Sequence, residues 1–266
     1  MSKCIVYIGF SQKMITYRRE ANAYLDEIHN KKGFSVDNVT AGGKGEGTAL
    51  YFESDIDRLY VVKGVECTKC GILGSSPTIF QLEKLKCSPG YTRLRFVRAA
   101  DDYLRKYLVT ENGIAYIRNN FNLLSPNHVM MDINGDEIKM QEKEGPAASY
   151  GNSFIKYDFV FGFECSCSEL IEKWLYRPRK HNWPNPALLT QISTLKGHVV
   201  PVANKGSRFP ATEWRICYTK AELLLMHSLN ECQTKVYIIL KLFAKSIFKP
   251  YCSAMTSYIM KNILFW

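Results

Sequence analysis

Gly42-Gly43-Lys44-Gly45-Glu46-Gly47, followed by Glu53-Ser54-Asp55-Ile56-Asp57-Arg58-Leu59-Tyr60-Val61-Val62, is the stretch on which the reading of this chain turns. In an extended strand alternate side chains share a face, so Asp55 and Asp57 project together while Ile56 points the other way. Two carboxylates spaced ~7 Å along a strand can lean onto one or two Mg²⁺ ions, which prefer oxygen ligands and substrate phosphates. Two-metal sites of this kind suit in-line phosphoryl transfer. The glycines ahead of the strand can bring backbone N–H groups close to a triphosphate. A structural pair of carboxylates is the plainer alternative.

The rest of the composition bounds the partners. The chain has 266 residues, enough for one large or two modest domains with a real core. Its apolar (46%) and charged (23%) fractions are ordinary for a globular protein, and its net charge of +10 leaves two readings open, a polyanionic partner (nucleic acid, nucleotide or an acidic membrane surface) or a basic protein that binds no polymer. Nine cysteines without a short-domain framework, and no signal peptide expected in Met1–Tyr7, point to reduced thiols and a cytoplasmic setting. Cys67-Thr68-Lys69-Cys70 is a single CxxC, and Cys165-Ser166-Cys167 is too close to complete a zinc ribbon, so no structural zinc is expected. The apolar tail from Tyr258 to Trp266 is short and carries Lys261, so no membrane partner is expected either.

Periodicity predicts a helix from about Ser11 to His29, whose Arg18-Arg19, with Lys31-Lys32, makes a basic edge and a candidate polyanion contact. Strands are predicted at Asp55–Val62, Tyr91–Val97 and Tyr157–Phe163, with a helix beginning at Asp101–Tyr107. Turns are predicted at Ser125-Pro126-Asn127 and Asp132–Gly135, and an exposed loop or strand edge at Glu137–Glu144. Asp158, alone in an apolar strand, needs compensation from a metal ion or from an Arg or Lys partner. Tyr176–Pro184 reads as a surface linker, His198–Val202 and Trp214–Tyr218 as short strands, and Ala221–Asn230 and Cys232–Phe248 as helices.

Taken in order, these blocks resemble the cyclic GMP-AMP synthase-like receptors and the male-abnormal (Mab twenty-one) proteins that share their architecture, most of all an invertebrate-type member. The resemblance rests on the glycine turn with Ser54-Asp55-Ile56-Asp57, Gly145-Pro146-Ala147 leading to Tyr157-Asp158-Phe159-Val160, and Trp183-Pro184. It continues with His198–Val202, Glu213-Trp214-Arg215-Ile216 and Ser257-Tyr258-Ile259-Met260-Lys261. It implies an α+β, bilobal nucleotidyltransferase fold: a twisted mixed sheet with flanking helices in residues 1–190, and a C-terminal helical (HhH/H2TH-like) lobe in 191–266, truncated relative to relatives.

It further implies that Asp55, Asp57 and Asp158 are the catalytic residues and hold two Mg²⁺ or Mn²⁺ ions. Nucleotide binding would fall to Gly42, Gly43, Arg215, Thr219, Glu222, Lys241, Ser257 and Tyr258. The implied substrates are ATP and GTP. The implied reaction is attack of a ribose hydroxyl on an α-phosphorus with loss of pyrophosphate, twice, to give a cyclic dinucleotide-type second messenger in innate immunity, with double-stranded RNA as the activating ligand. Two departures stand out. The turn reads Gly42-Gly43 where Gly-Ser is usual, and the zinc-binding thumb is missing, with only His227 and Cys232 between Glu222 and Lys241. The alternatives are a catalytically inactive member acting as a binding or developmental scaffold, and a nucleic-acid-binding protein whose acidic strand is structural.

Overall fold

Two long parallel strands, one from each acidic block, organise the structure. In the computed structural model, residues 2–49, 55–70, 76–99, 102–121, 130–131, 137–140, 147–151, 156–179, 181–248, 250–252 and 255–265 are described. The turns expected at 125–127 and 132–135, the block at 145–146, Ser54 and Asp101 lie outside them. The strands are β1 (Val36–Thr40), β2 (Ile56–Thr68), β3 (Thr78–Glu83), β4 (Tyr91–Arg98), β5 (Leu108–Glu111), β6 (Ile114–Ile117), β7 (Met130–Met131), β8 (Glu137–Met140), β9 (Ala148–Gly151), β10 (Lys156–Ser166), β11 (Gly197–Val200) and β12 (Glu213–Cys217). The helices are α1 (Ser2–Tyr7), α2 (Gln12–Lys31), α3 (Gly42–Gly45), α4 (Ser168–Leu175), α5 (Pro186–Ser193), α6 (Thr219–His227), α7 (Glu231–Phe243) and α8 (Ser257–Phe265).

The expectation of a twisted mixed sheet with flanking helices in a bilobal nucleotidyltransferase fold is corrected here. The path β2-β3-β4-β12-β11-β10 returns to β2 through a parallel β2–β10 pairing, so six strands close a mixed barrel. Closure removes free edges from those strands. β2 and β10 lie side by side along most of their length. On their outer sides, the N-terminal halves carry β1 and β9, while the C-terminal halves carry β3 and β11. The wall is therefore closed at one end and flared at the other, and the flared end holds the acidic residues.

A bulge explains how one strand serves both a cleft and a core. Val61 pairs with Gly162 and Glu66 with Glu164, so five steps along β2 answer two along β10. The three extra residues, an odd number, invert the alternation at Gly64, whose φ is +72°. Before the bulge, Leu59 and Val61 share a face with Asp57 and pack with Val200 and Val160. After it, Val65 and Cys67 point into the barrel with Phe80, Leu94, Phe163 and Trp214. Each of those large side chains contributes about 1.5–3 kcal/mol on burial.

The helices after the barrel strand β10 form a second apolar cluster: Ile171 and Leu175 of α4, Ile192 of α5, Leu225 and Met226 of α6, Tyr237 of α7 and Phe265 of α8. Asn185 caps α5 by accepting from Leu188 N, with Pro186 in its first turn. Asn230 and Gln233 form a capping box on α7.

Several local expectations change. Residues 105–107 form a single 3₁₀ turn rather than a helix, and the next ten residues fold as the hairpin β5–β6. The linker expected at 176–184 begins where α4 ends, at its cap residue Tyr176. Arg19 does not belong to an outer basic edge. Its guanidinium is buried and donates to the carbonyls of Glu46 (2.8 Å), Met226 (3.1 Å) and His227 (3.4 Å), tying α2 to the glycine turn and to α6. Among the described residues, no helix is long and apolar enough to cross a membrane.

Candidate functional site

The glycine stretch folds as α3, a single turn between β1 and the segment leading to β2. Gly42 takes φ +56°, and a Cβ there would fall 2.0 Å from Asp57 Oδ2. The glycine therefore allows the Asp57 carboxylate to lie directly against the turn. Ala41 N donates to Asp57 O at 2.9 Å and pins the two segments together.

Asp57 and Asp158 are register partners on the parallel strands β2 and β10. Adjacent strands lie about 4.8 Å apart, so the two side chains stand as neighbours on one face. Asp55 sits just outside β2 and is exposed. Burial, then the charges of Asp158, Asp55 and Glu46, push the Asp57 carboxyl up to about 6, with Lys241 opposing them. Asp158 has compensation of its own. Ser149 Oγ donates to its Oδ1 at 2.5 Å, and Lys156 Nζ lies 3.8 Å from its Oδ2. The lysine partner considered from the sequence is thus present.

A cleft of about 820 Å³ opens beside this pair. Its strand side carries Asp57, Arg58, Leu59, Val160, Val200 and Arg215, and its floor is Gly42, Gly43 and Glu46. Helices close the other side with Thr219 and Glu222 of α6, Lys241 of α7, and Ser257 and Tyr258 of α8. All eight residues expected to bind nucleotide therefore line one cleft with Asp57. Asp158 and Asp55 lie outside its lining; Asp158 is one strand away from Asp57.

The cleft also contains residues that sequence reasoning passed over. Glu46, Tyr237 and Lys261 line it and bond to one another: Tyr237 OH donates to Glu46 Oε2 (3.0 Å), and Lys261 Nζ to Glu46 Oε1 (3.2 Å) and Glu222 Oε2 (2.6 Å). His227 Nε2 lies 2.9 Å from Gly45 O, and Lys241 Nζ donates to Thr48 O at 3.3 Å. Four helices thus converge on one glycine turn. The signal for Lys261 was present as the third residue after Tyr258, one helical turn on.

Among the described residues, no group of three or more His, Cys, Asp or Glu side chains is placed to hold a metal ion. The donor set at the strand entrance is instead the Asp57–Asp158 pair with Asp55 beside it. That set fits Mg²⁺ or Mn²⁺ better than Zn²⁺. Such ions are commonly held by one or two carboxylates, with water and substrate phosphate completing the shell. Burial first, and then the neighbouring carboxylates, lift Asp57, and a dication would offset both. The CxxC does not form such a donor set, since Cys67 is buried in the barrel and Cys70 is exposed. No family model matches the chain, and no curated protein matches it.

Proposed function

We propose that this protein is a nucleotidyltransferase that uses ATP and/or GTP with Mg²⁺ or Mn²⁺ to make a cyclic dinucleotide-type product. The observation that carries this reading is the contact of the Asp57 carboxylate with Gly42 of a glycine turn, with Asp158 as its register partner and the Lys241 ammonium across the same turn. Acidic oxygens for a dication and a cation for phosphate stand side by side. The resemblance in the sequence blocks supports the same reading.

Asp57 and Asp158, with Asp55, would hold the metal, which supplies electrostatic stabilisation of phosphoryl charge. The chain's own residues do the rest. The α3 turn and Lys241 bind the phosphate chain. Tyr258 offers a ring face to a purine, Glu222 an acceptor on the same helical side, and Arg215 a donor fork from the strand side. A ribose hydroxyl presented beside Asp158 can pass its proton to that carboxylate as it attacks the α-phosphorus. Double-stranded RNA is the proposed activating ligand, motivated by the net charge of +10. The proposed setting is cytoplasmic, where nine cysteines would stay reduced, and the role in innate immunity is what the resemblance implies.

Incubating the protein with ATP, GTP and Mn²⁺, with and without duplex RNA, tests the reading. A new dinucleotide product with pyrophosphate release, lost in Asp57→Ala, is expected. No product above the Asp57→Ala control under any condition overturns it. The exposure of Asp55 and the absence of a three-acid group among the described residues favour a second reading, a non-catalytic nucleotide-binding scaffold. Metal-dependent nucleotide affinity without turnover would select it.

A further inference from the structure

Helix α2 carries an apolar stripe on its solvent side. Met14, Tyr17, Ala21, Tyr24 and Ile28 follow one another at alternating steps of three and four residues. Met14, Tyr17, Tyr24 and Ile28 are 41%, 64%, 62% and 38% exposed, whereas Ile15 and Arg19 of the same helix are buried. A stripe with that spacing is the seam of a helix pair, narrower than the apolar face of a helix packed on a globular core. The helix is held in place from its other side. Asp26 accepts from Thr40 N and from Thr40 Oγ1, each at 2.6 Å, and Arg19 donates to the carbonyls of Glu46 and Met226. The seam is therefore presented on an anchored helix, which lowers the entropy cost of docking.

Residue sizes and charges along the stripe choose its occupant. Small Ala21 stands between Tyr17 and Tyr24. A second copy of α2 running antiparallel sets Tyr17 over the partner's Ala21 and, by symmetry, Ala21 under the partner's Tyr17. Met14 then meets the partner's Tyr24. In that register the flanking Lys13 stands beside the partner's Glu27, twice by symmetry, against a single like-charge meeting of Glu20 with the partner's Glu20. Glu27 is exposed and pairs with Lys31 one turn on, an i,i+4 contact of low worth that can be exchanged. The other arrangements are poorer. A parallel pair stacks tyrosine on tyrosine, leaves Ala21 opposite the partner's Ala21, and brings Lys13 to the partner's Arg18. An antiparallel pair slid by one heptad sets Glu20 against the partner's Glu27, twice.

We propose that α2 is a self-association face, through which two copies of this chain pair in an antiparallel seam with its twofold axis between Tyr17 and Ala21. The seam from Met14 to Tyr24 covers about 15 Å of helix. An interface that short belongs with the weak, concentration-dependent ones. The proposal is independent of the nucleotide reading, because it uses the side of α2 that faces away from the glycine turn.

Sedimentation velocity of the full chain across the micromolar range tests it. Wild type is expected to pass from monomer to dimer as concentration rises. Ala21→Glu places a charge in both central layers and should weaken the dimer about tenfold or more. Lys13→Glu and Glu27→Lys should each weaken it about three- to tenfold, and the double variant, which restores opposite charges across the seam, should return it to within about twofold of wild type. Both charge changes suit the helix dipole at their ends of α2, so they leave the fold intact where Ala21→Glu disturbs it. A wild type that stays monomeric overturns the proposal; one that does so while co-sedimenting with anionic lipid vesicles assigns the stripe to a lipid surface instead. A dimer unmoved by Ala21→Glu, or a double charge variant no tighter than the singles, overturns the antiparallel seam.

Discussion

Lys261 of α8 and Glu46 of the glycine turn form a salt bridge of 3.2 Å in the cleft wall, with both side chains at least nine-tenths buried. Burial works against the ammonium, but Glu46 and Glu222 outweigh it and hold Lys261 above its ordinary pKa. Glu46 is satisfied on both oxygens, by Lys261 on one and by Thr48 and Tyr237 on the other. Removing one partner of such a pair leaves an uncompensated charge. Lys261→Met should therefore cost about 3–5 kcal/mol in urea denaturation. Adding Glu46→Gln to it should recover part of that loss. A Lys261→Met variant within about 1 kcal/mol of wild type would mean that the bridge does not seat α8.

Asp57 is held in the fold at a cost. Its carboxyl ionises near 6 in the folded chain and at the ordinary 3.8 when unfolded. Between those values the unfolded state gives up its proton first, so stability falls as pH rises from about 4 to about 6 and stays lower above that. Asp57→Asn should thus raise the stability of the metal-free protein at pH 7.5 by about 1–2 kcal/mol. Mn²⁺ should do the opposite to the pair, raising the melting temperature of wild type and leaving that of Asp57→Asn unmoved. Thermal melts of both chains in EDTA and in Mn²⁺ check both halves. An equal Mn²⁺ shift in the two proteins would remove Asp57 from the metal site.

Local patterns carried much of the fold, and non-local pairings did not. The strand after Asp55 was legible as far as Val62, where the apolar run ends. Its continuation to Thr68 was hidden by Lys63-Gly64, where the bulge inverts the faces. The hairpin at 108–117 had a readable signal in Asn112-Gly113, both at positive φ (49° and 77°), as a two-residue primed turn requires. Barrel closure had none. Asp57 and Asp158 pair across about a hundred residues, and an alternating strand looks the same in an open sheet and a closed one. In the cleft, the eight residues that the resemblance named stand together with Asp57. Glu46, Tyr237 and Lys261 were passed over, since each sits in an ordinary local pattern and acts only through convergence.

His198 gives an acid-sensitivity test away from the cleft chemistry. It lies on β11 between Glu164 of β10 and Cys217 of β12, is 1% exposed, and neither ring nitrogen has a hydrogen-bond partner among the described residues. Burial first, then Lys220, push it down to about 4, with Glu164 opposing. Below its ordinary 6.5 the unfolded chain binds a proton that the folded chain refuses. Stability contributed by the neutral ring is therefore lost as pH falls from about 6.5 to about 4. Relative to His198→Leu, wild type should lose about 2–3 kcal/mol across that window. Denaturant midpoints at pH 7, 5.5 and 4.5 give the comparison; parallel curves for the two proteins would place the acid sensitivity elsewhere.

Tyr258 distinguishes a stacking platform from a hydroxyl donor. It opens α8 with more than half of its surface exposed, lines the cleft, and has Lys261 Nζ 5.2 Å from its ring centroid. An aromatic ring left so open, on a helix otherwise anchored by Met260, Lys261 and Phe265, has its face available to a planar ligand. Stacking of a base on such a ring is worth about 1–3 kcal/mol, so Tyr258→Ala should weaken ATP and GTP binding roughly 5- to 100-fold. Tyr258→Phe keeps the π face and should bind within about twofold of wild type. Calorimetric titration with each nucleotide separates the cases. A loss in Tyr258→Phe as large as in Tyr258→Ala would assign the hydroxyl, and not the ring, to nucleotide recognition.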